Sequence, residues 1–199
     1  MTPDEPSRSV CVYCASSGAC APRFHDVARQ LGALLAGAGW TVVYGGGRVG
    51  SMGALAEGAL SAGGRVVGVI PKFMVDLEWG NDDLSELHVV EDMRTRKHEM
   101  LTRASAVVAL AGGCGTLEEL FEAITLKRLG LFLGPIVIVN TDGYYDPLLA
   151  QLTAAIDRRF MDARHDRMWT VVADALQVLP AIRTAPVWSA ANRDFAVAR

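Results

Sequence analysis

The stretch that most constrains the fold is an apolar run, a glycine-rich turn and a helical pattern, which follow one another between residues 106 and 129. The apolar run covers residues 106–110, and the turn reads Ala-Gly-Gly-Cys-Gly-Thr over residues 111–116. This order places several backbone N–H groups at the N-terminus of a helix, where the aligned peptide dipoles leave about half a positive charge. Because glycines permit close approach to the backbone, the turn predicts a binding site for an anion such as phosphate.

Short apolar segments alternate with helical patterns along the rest of the chain. The predicted strands cover residues 10–13, 41–44, 66–70, 106–110 and 135–140, with a further short one at 87–90. The predicted helices cover residues 22–37, 52–62, 92–104, 117–129, 148–159 and 173–183. Such alternation is typical of a parallel sheet with helices on both faces. We therefore predict a single-domain, Rossmann-like, doubly wound α/β fold, in which ligands bind at the carboxyl ends of the strands.

The domain is predicted to span residues 10–185. A polar, flexible N-terminus of residues 1–9 precedes it, and a C-terminal tail of residues 186–199 follows, which we expect to be loosely held. Residues 72–83 are too polar for a core element, so we predict an irregular loop over the site.

Composition limits the class of partner. The net charge is −3 and no basic arm stands out, which argues against binding of nucleic acid. No apolar run is long enough to span a bilayer, and the N-terminus lacks the hydrophobic region of a signal peptide. We therefore expect a cytoplasmic protein with neither nucleic acid nor membrane as a partner.

The four cysteines include a Cys-x-x-Cys pair, Cys11 and Cys14, which could indicate a redox or zinc site. However, Cys11 lies inside a β-branched apolar run, and no second pair of cysteine or histidine residues stands at ligand spacing. We interpret the cysteines as small buried residues, with Cys114 filling the glycine turn. Accordingly, we expect no metal and no cofactor.

A second glycine turn reads Gly-x-Gly-x-x-Gly over residues 45–50 and formally matches the dinucleotide-binding fingerprint. That fingerprint expects an acidic residue about 20 positions later, at the end of the next strand, to hold a ribose. Here the strand ends in Val-Ile-Pro-Lys at residues 69–72, which disfavours a nicotinamide cofactor. Two interpretations remain, a tight turn for helix–sheet packing or a glycine loop that lines a nucleotide site.

Two interpretations also apply to Glu119, which follows the first glycine turn. Thr116 and Glu119 have the spacing of a capping box, in which they would satisfy the N-terminal N–H groups of the helix and do no chemistry. Alternatively, apolar residues on both sides of the helix predict that Glu119 is half-buried beside an anion, which is costly for an idle carboxylate. We favour the functional interpretation.

The helical pattern of residues 92–104 carries several basic side chains beside a stripe of core residues. A solvated basic face would explain them. Alternatively, Arg96 or Lys97 reaches the anion at the glycine turn, for which the planar guanidinium of Arg96 is well suited.

Three motifs occur together in this chain: Gly-Gly-Gly-Arg-Val-Gly-Ser-Met-Gly at residues 45–53, Met-x-x-Arg-Lys at residues 93–97, and Ala-Gly-Gly-Cys-Gly-Thr-Leu-Glu-Glu at residues 111–119. With Asp-Gly-Tyr-Tyr at residues 142–145, they resemble the Lonely Guy family. These proteins are cytokinin riboside 5′-monophosphate phosphoribohydrolases, many once labelled lysine decarboxylases. The likeness runs from about residue 10 to residue 161. The family usually has proline where Ala111 stands. Because alanine restricts the backbone less than proline, the entry to the turn is expected to be less rigid here.

The resemblance implies hydrolysis of the N-glycosidic bond of a nucleoside 5′-monophosphate, either AMP or one with an N6-modified adenine, to the free base and ribose 5-phosphate. It places Arg96 and Glu119 at the catalytic positions. The predicted substrate-binding positions are Ser16, Gly46, Gly47, Glu78, Lys97, Gly112, Gly113, Cys114, Gly115, Thr116, Glu118 and Thr125. We expect the turn to hold the 5′-phosphate and Glu119 to stabilise positive charge on the ribose or to activate water. Glu78 is a candidate for the general acid.

The resemblance also implies a homodimer with the site near the subunit interface. A rival hypothesis from another class is a nucleotide-sensing or cofactor-carrying module that uses the same turns for binding alone. A pyridoxal-dependent lysine decarboxylase is disfavoured, because no lysine here stands in a recognisable setting for that cofactor.

Overall fold

The computed structural model describes residues 8–77 and 79–196. Its sheet has seven strands: β1 (Ser9–Tyr13), β2 (Thr41–Tyr44), β3 (Val66–Pro71), β4 (Glu86–Val90), β5 (Ala106–Ala109), β6 (Ile136–Val139) and β7 (Thr170–Val172). Its α-helices are α1 (Pro22–Gly37), α2 (Gly50–Ser61), α3 (Lys72–Asp76), α4 (Met93–Thr102), α5 (Cys114–Arg128), α6 (Asp146–Asp157) and α7 (Val178–Thr184). No helix within these described ranges is both long and apolar enough to cross a membrane.

All the strand pairs are parallel, and the strand order is β4-β3-β2-β1-β5-β6-β7. The chain therefore winds outward from β1 to one edge, returns to β5 beside β1, and winds outward to the other edge. Val10 of β1 pairs with Val42 of β2 on one side and with Ala106 of β5 on the other. This reversal creates a crevice at the carboxyl ends of β1 and β5, where ligands bind in open α/β sheets. The predicted doubly wound α/β class is confirmed.

Two apolar cores lie on opposite faces of the sheet, because successive side chains of a strand point to opposite sides. Val10 and Val12 of β1 join a core with α1, α2 and α7, which contribute residues such as Leu31, Leu55 and Ile182. The second core holds Cys11 and Tyr13 of β1 and side chains from α4, α5 and α6: Met100, Leu101, Leu120, Ile124 and Leu152. The sheet is thus covered by helices on both faces.

The structure departs from the sequence prediction in three segments. Residues 72–76 form the short helix α3 rather than an irregular loop. The three-residue edge strand β7, which buries only Val172, is too short to give a period-two pattern, and the sequence prediction missed it. The predicted helix at residues 173–183 is divided into a 3₁₀ turn at Ala175–Gln177 and α7.

The segment after Pro186 packs on the core, so the expectation of a loose tail is wrong for residues 186–196. Trp188 is only 6% exposed, and its indole Nε1 donates to the carbonyl oxygen of Lys127 at 2.8 Å. Arg128 Nε donates to the carbonyl oxygen of Ala196 at 2.7 Å. Both acceptor and donor lie at the C-terminal end of α5, so this segment anchors the helix that carries Glu119.

We expect Trp188→Ala to lower the free energy of unfolding by about 3–5 kcal/mol, because a large buried ring and its hydrogen bond are lost. Urea denaturation measures the change. Val187→Ala is the matched control, since Val187 is 94% exposed and should change stability by less than about 0.5 kcal/mol. Equal effects of the two variants would show that the segment contributes no packing energy.

Candidate active site

A cavity of about 750 Å³ opens at the carboxyl ends of β1, β2 and β5. Its wall includes residues 14–17 after β1, Gly45 and residues 47–49 after β2, and residues 113–116 after β5. These are the loops that the sequence placed at one edge of the sheet. The volume falls within the range of small-molecule sites in proteins, roughly 300–1,000 Å³.

Helix α5 presents its N-terminus to this cavity. The helix begins at Cys114, and its N-cap residue is Gly113, which has no side chain to cap it. Leu117 N donates the first intrahelical bond, to Gly113 O at 3.0 Å. The N–H groups of Cys114, Gly115 and Thr116 therefore have no acceptor within the helix and remain available to an anion.

The capping-box interpretation is wrong, because the helix starts two residues before Thr116. Thr116 occupies the first turn rather than the N-cap, and its buried side chain packs against the backbone of Gly112. A Cβ atom on Gly112 would lie 2.2 Å from Thr116 Oγ1, so this position requires glycine. Glu119 is thereby free of any capping role.

Glu119 forms a buried ion pair with Arg96 of α4. Arg96 Nη1 donates to Glu119 Oε1 at 3.1 Å, and the two residues are 5% and 3% exposed. Both side chains line the cavity. The interpretation of residues 92–104 as a solvated basic face is therefore wrong for Arg96.

Two strand ends hold the guanidinium group in place. Arg96 Nε donates to Val69 O at 3.0 Å, and Nη2 donates to Gly45 O at 3.3 Å. A Cβ atom on Gly45 would lie 1.9 Å from Arg96 Nη2, so glycine at this position admits the guanidinium. The second glycine turn thus positions a cation, a role that the fingerprint spacing does not reveal.

Burial raises the pKa of Glu119 to about 7, and the positive charge of Arg96 opposes this rise. Near neutral pH the carboxyl group is therefore present in both protonation states. A carboxyl group with such a pKa can stabilise a nearby positive charge or transfer a proton.

Cys14 also lines the cavity, but burial raises the pKa of its thiol well above the ordinary value. Burial does the same to the pKa of Cys11. The thiolate needed for nucleophilic attack is thus disfavoured in both. The expectation of buried cysteines is confirmed for this pair, whereas Cys20 is half-buried and Cys114 is exposed on the cavity wall.

The other predicted site residues fall into two groups. Ser16 and Gly47 line the cavity, together with residues 113–116. Gly46 does not line the cavity, and its carbonyl accepts a hydrogen bond from Asn81 N at 2.9 Å. Gly112 belongs to the turn but does not line the cavity, and it lies against the side chain of Thr116.

Beyond Gly46 and Gly112, four more predicted residues lie outside this cavity wall or outside the described ranges. Lys97 pairs with Glu118 and with Glu122, the latter at 3.3 Å. Thr125 is exposed further along α5. Glu78 lies outside the described residues, so its proposed role as general acid stays a prediction.

An apolar part of the wall escaped the sequence prediction. It consists of Met52, Ile70, Met74, Leu77 and Trp79. The last three lie in or just after α3, within the segment predicted to cover the site. The position of this segment after β3 predicted correctly that it lies near the site. Its overall polarity did not reveal that its apolar side chains are the ones that line the cavity.

Comparisons with known proteins agree with these features. The family model described as "Possible lysine decarboxylase" matches residues 52–182. A probable cytokinin riboside 5′-monophosphate phosphoribohydrolase of Oryza sativa subsp. japonica is 44% identical over 154 residues, covering 77% of this chain and 69% of that protein. A cytokinin riboside 5′-monophosphate phosphoribohydrolase of Arabidopsis thaliana is 38% identical over 172 residues, covering 86% of this chain and 81% of that protein.

Among solved structures, the molybdenum cofactor carrier protein from Chlamydomonas reinhardtii has a TM-score of 0.69 at 22% identity, covering 90% of this chain and 98% of that chain. At this identity the likeness concerns the fold alone. The family model goes further, because the residues it matches include Arg96 and Glu119. The plant proteins share 38–44% of their residues with this chain over most of its length. The chain belongs to the Lonely Guy family, whose family model carries the older description of a possible lysine decarboxylase.

Proposed function

We propose that this protein hydrolyses the N-glycosidic bond of nucleoside 5′-monophosphates, with cytokinin riboside 5′-monophosphates as the substrate class and AMP as a simpler substrate. The observation that carries the proposal is the position of the buried Arg96–Glu119 pair in the same cavity as the N-terminus of α5. An anion site for the phosphate and a carboxyl group beside the ribose are the two elements that this reaction uses. The names of the plant relatives support the choice of substrate.

In the proposed mechanism, the N–H groups of Cys114, Gly115 and Thr116 bind the 5′-phosphate and fix the ribose with C1′ towards Glu119. The bond between C1′ and the base nitrogen breaks, and the base leaves with the bonding electrons. Positive charge develops on the ribose ring, which the Glu119 carboxylate stabilises. Water then bonds to C1′ and loses a proton, while the base gains one. Arg96 donates a hydrogen bond to Glu119 and is itself held by the carbonyl oxygens of Val69 and Gly45, so it keeps the carboxylate oriented.

The apolar part of the wall supports a substrate whose base carries an apolar N6 substituent. Met74, Leu77 and Trp79 offer an apolar surface to such a group, and the flat indole of Trp79 suits stacking on a purine. Comparing the rate of base release from AMP with the rate from an N6-modified nucleotide will determine which base the protein prefers.

Chromatographic detection of the free base tests the proposed activity. Purified protein should release adenine from AMP and isopentenyladenine from its riboside 5′-monophosphate. The same ribosides without phosphate should show kcat/KM at least about tenfold lower, because charged hydrogen bonds worth about 1.5–3 kcal/mol each are lost. Equal rates with and without the phosphate would contradict the anion site.

The rival function, nucleotide sensing or cofactor carriage, predicts tight binding of AMP with no release of base. The ion pair favours the enzyme. Burial of Glu119 raises its pKa and therefore costs stability, which a module that only binds has no evident need to bear. Binding without turnover in the same assay would favour the rival.

We also propose a homodimer formed through an exposed stripe of α5. Glu118, Phe121, Glu122, Thr125 and Leu129 follow one another at helical spacing on α5, and the apolar members of this stripe are exposed. A dimer through this stripe would bring Glu118 and Thr125 to the partner subunit, which supports their predicted roles near the substrate.

Light scattering should give twice the chain mass, and Phe121→Glu should give the monomer.

A further inference from the structure

The turn that leads into α5 is held from outside the cavity by a tyrosine. The hydroxyl of Tyr144 donates to the carbonyl oxygen of Gly112 at 2.6 Å. Tyr144 does not line the cavity, whereas Gly113, the next residue after Gly112, does. The hydroxyl therefore hydrogen-bonds to the turn on the side away from the proposed substrate.

This hydrogen bond fixes the orientation of one peptide group. In a trans peptide the carbonyl of Gly112 and the N–H of Gly113 point in opposite directions. With the carbonyl drawn towards Tyr144, the N–H of Gly113 is directed to the other side, where residues 113–116 border the cavity. It thus adds a fourth donor to the three at the N-terminus of α5.

The same peptide is free to rotate if the hydrogen bond is lost, because glycine stands on both sides of it. A Cβ atom on Gly113 would meet no heavy atom within 4 Å, so there is open space beside this residue on its Cβ side. Rotation by half a turn would point the carbonyl oxygen of Gly112 into the anion site. A negative partial charge there repels phosphate.

Tyr144 is itself held by its neighbours. Its ring makes edge contacts with Phe24, at a centroid distance of 6.0 Å, and with Tyr145, at 5.1 Å. Asp142, two residues before it, forms an ion pair with Arg23 of α1. The loop after β6 and the start of α1 thereby place the hydroxyl against Gly112.

We propose that Tyr144 is a positioning residue for the anion site, which keeps the N–H of Gly113 turned towards the substrate phosphate. The inference rests on the proposed function for the identity of the substrate, but the binding of phosphate itself is independent of catalysis. The proposal gives the Asp-Gly-Tyr-Tyr motif at residues 142–145 a role in the site, although Tyr144 does not line the cavity.

Tyr144→Phe tests the proposal, because it removes the hydroxyl and keeps the ring. We expect KM for the nucleoside 5′-monophosphate to rise about 5–30-fold while kcat stays within about twofold of wild type. Calorimetric binding of ribose 5-phosphate and of inorganic phosphate should weaken by a similar factor.

Tyr145→Phe is the control, since its buried hydroxyl donates to Leu110 O at 2.7 Å, before the turn. It should lower the thermal stability and leave KM and phosphate affinity close to wild type. Unchanged phosphate affinity in Tyr144→Phe, or equal losses in the two variants, would overturn the proposal. If the wild-type protein releases no base but Tyr144→Phe still weakens phosphate binding, the positioning role stands and the proposed reaction fails.

Discussion

A Glu119→Gln variant is expected to release base about 10²–10⁴-fold more slowly than the wild-type protein. Glutamine keeps the shape of the side chain and can still accept a hydrogen bond from Arg96, so the cavity is preserved. What is lost is the negative charge that would stabilise the ribose cation or activate water. The rate of base release under saturating nucleotide measures the effect.

The same variant is expected to lose less stability than the wild-type protein as the pH rises from about 5 to about 8. Burial raises the pKa of Glu119 from 4.5 to about 7, so ionisation of this group costs the folded state about 3 kcal/mol. Because the folded state keeps this proton to a higher pH than the unfolded state, Glu119 lowers stability progressively as the pH rises from about 4.5 to about 7. Urea denaturation at several pH values should therefore show that the free energy of unfolding of the wild-type protein falls relative to that of Glu119→Gln between about pH 5 and pH 8.

The pH profile of kcat/KM, which reports the ionisation of the free enzyme, gives a further measurement on Glu119. The rate should increase as the pH rises through about 7, where the carboxylate form becomes dominant, and this inflection should disappear in Glu119→Gln. Glu57→Gln is the control, because Glu57 is an exposed carboxylate of α2 paired with Arg29. A wild-type rate in Glu119→Gln would contradict the catalytic role.

Arg96→Met should lower the free energy of unfolding by about 3–5 kcal/mol at pH 8, because it leaves Glu119 buried without its counter-charge. It should also abolish measurable activity. Loss of the positive charge raises the pKa of Glu119 beyond about 7. The loss of stability should therefore be smaller at pH 5.5, where both proteins hold Glu119 protonated.

A double variant separates the charge effect from lost packing. Arg96→Met combined with Glu119→Gln should recover most of the stability lost by Arg96→Met at pH 8, since no buried charge is left unpaired. Arg94→Met serves as the control on the same helix, because Arg94 is exposed and should change stability by less than about 0.5 kcal/mol. A double variant no more stable than Arg96→Met would show that the pair is not electrostatically coupled.

Local patterns predicted most of the fold because they are read over short distances. The apolar run of β5 and the glycines after it indicate a strand that enters a helix, and the same order recurs at β2. Predictions failed where a distant segment decides the outcome. Trp188 looks like part of a polar tail until the C-terminal end of α5 supplies a carbonyl acceptor and an apolar surface.

The capping box shows a second kind of limit. Thr116 and Glu119 have the required spacing, but Gly112 and Gly113 let the helix begin earlier, with Thr116 packed on Gly112. Spacing alone does not distinguish a cap from a residue of the first turn. The distinction depends on backbone angles that glycine leaves open.

The sequence by itself determined the parallel sheet, the edge at which its loops meet and the glycine turn that presents the N-terminus of α5, because periodicity and glycine placement act locally. Only the tertiary structure decided that the side chain of Arg96 is buried, lies beside Gly45 and pairs with Glu119, unlike its exposed basic neighbour Arg94. The physical reason is burial. Whether a charge lies in water or is buried in the protein depends on atoms from several segments of the chain together, and for Glu119 that burial raises the pKa to about 7.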